Sequence, residues 1–347
     1  MDTSSVELSA SRQIPVGTQR IVVFDTNAYR EFTPGNRSQG ECRVKLRHLS
    51  ECEKKSGVFV LAMPVVIWEL VSHIANPNDP WFNHCLNSIV VLGEHSVHPA
   101  NPEGGISMFP DADLSVCREV FRMHPGNHEQ VIRQLGSLVK YIVNNAPKIE
   151  DQVALTHIKQ IANAVADTEQ EWLMSMQPVL AYCDPSTAKQ FFQNRNDGEV
   201  REQIQKFFAS EEFLNMYASY TVEKCARILR IPIPTGGELE QKIHIVRTVF
   251  STPLHLTAKL LQKIAAQKSY NLSNPKKKRW NFVWDFQVAF SIGSSHQVSG
   301  IPLFLVTGDQ ELLEAAKSAG CNDRVISLNY YLKSVNFIKP ALTAPAC

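Results

Sequence analysis

Several things are missing from this 347-residue sequence, and each absence excludes a class of protein. Its eight cysteines never form a CxxC pair, which excludes a zinc ribbon or a thioredoxin-type redox site by spacing. The reading that remains is reduced thiols, several of them serving as small buried hydrophobes. No apolar run approaches the roughly 18 residues of a membrane span. No charged-then-apolar leader opens the chain, and residues 1–17 read as a loose polar arm. There is almost no excess of charge of either sign. With 35 Lys+Arg against 34 Asp+Glu the net charge is +1, so attraction to nucleic acid has to come from a local patch. No internal repeat is visible. A soluble, cytoplasmic protein with no membrane attachment is the expectation.

What is present is an ordinary globular composition, 44% hydrophobic and 20% charged, in a chain long enough for one large domain or two modest ones. The two ends show strand–helix alternation. Ile21–Phe24 is a short run of β-formers stopping at Asp25-Thr26-Asn27. A helix is expected over Cys42–Lys55, ended by Gly57, then a strand over Val58–Ala62 and a helix from Pro64 to Ile74. Near the C-terminus the pattern gives a helix over Phe282–Ser294 and a strand over Pro302–Val306. A helix over Gln310–Ala319, ended by Gly320, and a strand over Arg324–Leu328 follow. Such alternation predicts an α/β fold with a parallel sheet covered on both faces.

The middle is different. His128–Asn145, Ile149–Met176, Glu199–Arg230 and Glu238–Gln267 carry apolar residues at helical spacing, Val131, Leu135, Leu138 and Ile142 among them. Pro253 is expected to kink or split the last. The organisation expected is an α/β domain in two pieces, 18–75 and 278–347, interrupted by an all-helical insertion, 76–277.

Ligands bind outside the C-terminal ends of strands in a parallel α/β sheet, and two acids fall there. Asp25 directly follows the first strand, and Asp309 follows Pro302–Val306 after Thr307-Gly308. Glu69 lies on the helix after the second strand. Asp285 sits between Trp284 and Phe286 on an otherwise apolar helix, where a carboxylate must be paired, held against a cation or shifted in pKa. Each acid has a plain alternative: Asp25 and Asp309 as helix N-caps, Glu69 as a solvated helix residue, Asp285 as a partner of Arg279. Together on one sheet edge they would repel unless divalent cations neutralised them, and hard oxygen donors of this kind suit Mg²⁺ or Mn²⁺.

In these contexts, Val22-Val-Phe-Asp25-Thr-Asn27, Val66-Ile-Trp-Glu69-Leu, Trp284-Asp285-Phe-Gln-Val-Ala289 and Leu305-Val-Thr-Gly-Asp309-Gln-Glu-Leu-Leu, the sequence resembles the PIN-domain nucleases, which include the ribonuclease toxins of bacterial toxin–antitoxin pairs. The resemblance covers roughly residues 18–75 and 278–335. It implies a Rossmann-like PIN domain and a metal-dependent endoribonuclease acting as a toxin or defence effector. Asp25, Asp285 and Asp309 would be the main metal ligands, with Glu69 a ligand through water or the base that orients the nucleophile. Thr26, Asn27 and Thr307 would steady the carboxylates by hydrogen bonds. One departure is large, because 216 positions separate Glu69 from Asp285 where compact members of that family have a short connection.

Substrate contact is expected from Lys276-Lys277-Lys278-Arg279, whose charges attract phosphate, and from Trp280, which can stack a base. Arg30 could reach the scissile phosphate. His73, one helical turn after Glu69, is expected to be structural. DNA as substrate, or an idle PIN-like scaffold whose helices bind protein, are the alternatives. A phosphatase of the haloacid-dehalogenase kind would need an acid where Asn27 stands. A protein regulator or antitoxin, and a homodimer, are further partners the resemblance and the long helices leave open.

Overall fold

The structure is a computed structural model that describes residues 14–35, 37–97, 105–126, 128–146, 152–183, 198–266, 282–292, 297–298 and 300–338. The arm over 1–13 and the basic stretch Lys276–Trp280 lie outside the described residues.

The sheet forms from the most apolar strands of the sequence. Strand β1 (Arg20–Phe24) has Ile21, Val22 and Val23 completely buried, as expected of a strand covered on both faces. It pairs in parallel with β2 (Val58–Leu61) on one side and β4 (Ile301–Thr307) on the other, so that Ile21 lies between Phe59 and Leu303. Strand β5 (Val325–Ser327) adds to β4, again parallel. The two-residue β3 (Gln297–Val298) pairs antiparallel with the first residues of β4. The result is a parallel sheet in the order β2-β1-β4-β5 with an antiparallel appendage. Because the four strands run the same way, the ends of β1 and β4 lie side by side. The isolated bridge between Ala62 and Met108 continues the line of β2, with Ala62 donating to the Ser107 carbonyl.

Fourteen helices surround it among the described residues: α1 (Thr26–Phe32), α2 (Gln39–Lys55), α3 (Pro64–His73), α4 (Phe82–His95), α5 (Ala112–Phe121), α6 (His128–Asn145), α7 (Gln152–Cys183), α8 (Gly198–Phe208), α9 (Glu211–Leu229), α10 (Gly236–Val249), α11 (Ser251–Ala266), α12 (Phe282–Ile292), α13 (Gln310–Ser318) and α14 (Leu328–Ser334). Their boundaries correct the sequence reading in several places, and capping explains most of them. Helix α2 starts at Gln39 rather than Cys42 because Ser38 and Glu41 close a reciprocal capping box. The single helix expected over Glu199–Arg230 is two, since the Ser210 hydroxyl accepts the Phe213 N–H at 3.1 Å and starts a new helix. The strand expected to reach Leu328 stops at Ser327, whose hydroxyl caps α14 through the Tyr330 N–H. Pro253 does split its helix. It is the third residue of α11, after a break at Phe250, where a missing N–H costs no helical bond.

Helices α4 and α5 fall where the sequence signalled only loops on either side. Helix α4 is buried over Cys85–Leu92, so it shows almost no polar face from which a period could be read. Its Gly93 allows α6 to approach closely. A Cβ there would stand 2.6 Å from Val143 and 2.9 Å from Val139. Gly93→Ala is therefore expected to destabilise the fold by about 1–3 kcal/mol through overpacking, measured by urea unfolding, and Val143→Ala in the same chain is expected to restore part of the loss.

The long central segment packs directly onto the α/β elements. Helix α7 lies along α3, α5 packs against α12, and α11 packs against both α12 and α13. Buried side chains of the sheet and of these helices belong to one continuous core. Cys42, Cys52, Cys85, Cys117, Cys225 and Cys321 are free thiols, and all of these but Cys52 are buried.

Candidate active site at the strand ends

Asp25 is the residue at which β1 becomes α1. Its N–H still donates to the Val306 carbonyl at 3.0 Å, so it remains tied to β4. Its Oδ1 caps α1 by accepting the Ala28 N–H at 2.6 Å, and also accepts the Gly308 N–H at 3.4 Å. Its Oδ2 accepts the Thr307 hydroxyl. That same Thr307 oxygen accepts the Asp309 N–H at 2.8 Å. Asp309 caps α13 through Oδ1, which accepts the N–H groups of Glu311 at 2.7 Å and Leu312 at 3.0 Å, while its Oδ2 accepts the Asn27 side-chain amide at 3.3 Å. Asn27, Asp309, Thr307 and Asp25 thus form one hydrogen-bonded chain across the two strand ends. The capping alternative and the site reading turn out to be compatible, because the cap bonds fix the carboxylates in place. The backbone turn is equally tight. A Cβ on Gly308 would lie 3.0 Å from the Asn27 carbonyl.

Glu69 reaches this edge from α3. It is 7% exposed, so it is not a solvated helix residue. Its Oε2 accepts the Thr26 hydroxyl at 2.5 Å, and its Oε1 faces the Arg30 guanidinium at 3.8 Å. Arg30 is turned inward: Nη2 donates to the Cys85 sulfur at 3.5 Å, the guanidinium lies over the Trp81 ring, and Nε is buried without a partner. Asp285 reaches the edge from α12. It keeps part of its surface open and has no hydrogen-bond donor among the described residues. His73 is held by Asp79 at 3.2 Å, a structural role as expected.

The electrostatics show how near these groups are. Asp25 is pushed up from an ordinary 3.8 to about 7, chiefly by burial; the bonds from Thr307 and Ala28 oppose the shift and the Asp309 charge adds to it. Asp285 is held well above the carboxylate range, first by burial and then by Asp309, Glu69, Asp25 and Glu311. Four acids from distant parts of the chain therefore share one field. Two further acids join them that the sequence did not single out. Glu311 lies in the first turn of α13. Glu169, on α7, accepts the Trp284 indole N–H at 2.9 Å, and its carboxyl is raised by burial and by Glu69. No local pattern around Glu169 marks it, since it is one of several acids on a mixed helix.

The donors are hard oxygens, the kind Mg²⁺ and Mn²⁺ prefer. Among the described residues, no group of three or more His, Cys, Asp or Glu side chains is arranged to hold an ion. The arrangement therefore fits a cation taken by one or two carboxylates and completed by water, the usual habit of Mg²⁺, and does not fit a closed protein cage. Asp285, the carboxylate with no donor among the described residues, is the one whose chemistry most calls for a cation.

The fold and site define a mixed α/β protein with a four-stranded parallel sheet and a group of acids at its C-terminal edge. No family model, curated protein or solved structure matches the chain. No helix among the described residues is long and apolar enough to cross a membrane.

Proposed function

We propose that the chain is a divalent-cation-dependent phosphodiesterase of Rossmann-like PIN type, with RNA as substrate. The observation that supports this best is the shared field of Asp25, Glu69, Asp285 and Asp309 at the ends of β1 and β4. A protein that stabilises itself by folding does not gain from placing Asp285, which has no hydrogen-bond donor among the described residues, among three other acids; a site that takes up positive charge does.

In this reading one or two of Asp25, Asp285 and Asp309 would hold Mg²⁺ or Mn²⁺ directly, the rest acting through water on the ion. When bound, the ion lowers the pKa of its water and offsets the charge growing on phosphorus. Thr307 holds Asp25 and Asp309 in register through one hydroxyl, and Asn27 steadies the outer oxygen of Asp309. Thr26 fixes one oxygen of Glu69, leaving the other to orient the attacking water. Arg30, now beside Glu69, is close enough to the edge to exchange that partner for a substrate phosphate.

The test is incubation of purified protein with single-stranded RNA, structured RNA and DNA, each with Mg²⁺, Mn²⁺ or EDTA. RNA cleavage is expected with either ion and none with EDTA. Asp309→Asn, which can still cap α13, is expected to slow cleavage by about 10²–10³-fold through loss of about 3–4 kcal/mol of charge stabilisation. Cleavage unaffected by EDTA, or full activity of Asp309→Asn, would overturn the proposal; cleavage of DNA alone would reassign the substrate.

A further inference from the structure

We infer that Glu169, carried by the helical segment between the two α/β pieces, is a positioning residue that acts through Trp284 to aim Asp285 at the strand ends. This deepens the functional reading above and rests on it. Trp284 is 2% exposed, and its indole nitrogen can only donate. A buried tryptophan N–H needs an acceptor, and here it is the Glu169 carboxylate at 2.9 Å, 115 positions away in sequence.

The geometry gives this bond leverage. Consecutive helical residues point about 100° apart, so fixing Trp284 about the axis of α12 also fixes the direction of Asp285. Apolar neighbours such as Phe286, Val288, Ala289 and Phe290, all buried, supply area but little direction, since hydrophobic contact is non-directional. Helix α7 also packs along α3, the helix that carries Glu69. One helix thus sets two of the acids against each other: Glu69 by packing, Asp285 by a hydrogen bond. The long helical segment is in this respect part of the site, and residues 76–277 do more than hang from it.

Three variants separate this role from general stabilisation. Glu169→Ala removes the acceptor, Trp284→Phe removes the donor while filling most of the same space, and Glu169→Gln keeps an acceptor oxygen without the charge. Mn²⁺ affinity, read by electron paramagnetic resonance, is expected to fall about tenfold in Glu169→Ala and in Trp284→Phe, the scale usual for residues that orient metal ligands. Glu169→Gln is expected to stay close to wild type, and the double variant Glu169→Ala/Trp284→Phe to bind no worse than either single one, because the two changes break the same bond. A crystal structure of Glu169→Ala is expected to show α12 rotated and the Asp285 carboxylate displaced from Asp25 and Asp309. Equal loss in Glu169→Gln and Glu169→Ala, additive losses in the double variant, or an unmoved α12 would each overturn the inference. If wild-type protein takes up no Mn²⁺, the cation reading of the site falls, and the position of Asp285 in the Glu169→Ala crystal still decides whether Glu169 sets it.

Discussion

Without divalent cation, Asp25→Asn is expected to be more stable than wild type by about 4 kcal/mol at pH 8, and equal to it below about pH 4. The Asp25 carboxyl stands at about 7 in the folded protein against an ordinary 3.8. Between those values the folded state holds a proton that the unfolded state has released. Unfolding then releases that proton, so stability falls as pH rises through this window. At about 1.4 kcal/mol per pH unit, the gap amounts to about 4 kcal/mol, fully present as a loss only above about pH 7. Asparagine carries no such proton, caps α1 as well as aspartate does, and can donate to the Thr307 oxygen. Comparing variant with wild type cancels the contributions of other carboxylates, some of which run the opposite way. Asp285→Asn is expected to act with the same sign, since burial and four neighbouring acids raise that carboxyl too. Adding Mg²⁺ at pH 8 is expected to stabilise wild type and to leave Asp25→Asn nearly unchanged, because only the ionised carboxylate attracts the ion. The measurement is urea unfolding at a series of pH values with and without EDTA. A constant difference between the two proteins from pH 4 to 8 would contradict the assignment of the proton to Asp25.

The second large effect lies behind the site. Glu53 on α2 is 3% exposed. It accepts from the Tyr331 hydroxyl on α14 and from His95 Nε2 on α4 at 2.8 Å, while His95 Nδ1 meets the Tyr29 hydroxyl on α1 at 3.4 Å. Phe24, the residue before Asp25, packs its ring against His95, Tyr29 and Tyr331 at centroid distances of 5.1, 5.2 and 5.2 Å. Four helices are therefore joined by one carboxylate directly beneath the end of β1. Glu53→Ala strands two buried polar groups at once and is expected to cost about 3–5 kcal/mol. Glu53→Gln, which can still accept from one donor, is expected to cost less. Both phenols are pushed above their usual range by burial, and the Glu53 charge adds to the rise in each. Chemical denaturation at pH 7 tests this. Wild-type stability in Glu53→Ala would mean that the network is not a structural tie.

Much of the site is legible along the chain because each element announces itself locally. Ile21–Phe24 and Ile301–Thr307 are apolar enough to be interior strands, and the acids that follow them cap the next helices. Asp285 stands out because it interrupts an apolar helix. Glu53 and His95 gave no comparable sign. Glu53 lies among charged residues on α2, and His95 ends a helix too thoroughly buried to display a period. Glu169 gave none either, since what distinguishes it is a partner on another helix.

The amino-acid order alone determined the α/β ends, the helical middle, the helix break near Pro253, and which acids terminate strands, all of which depend on interactions within a few residues. Which carboxylates meet, which donor satisfies each oxygen, and that α7 joins the site were decided only by tertiary packing. Electrostatic coupling and hydrogen bonding fall off over a few ångströms of space, and separation along the chain carries no information about that distance.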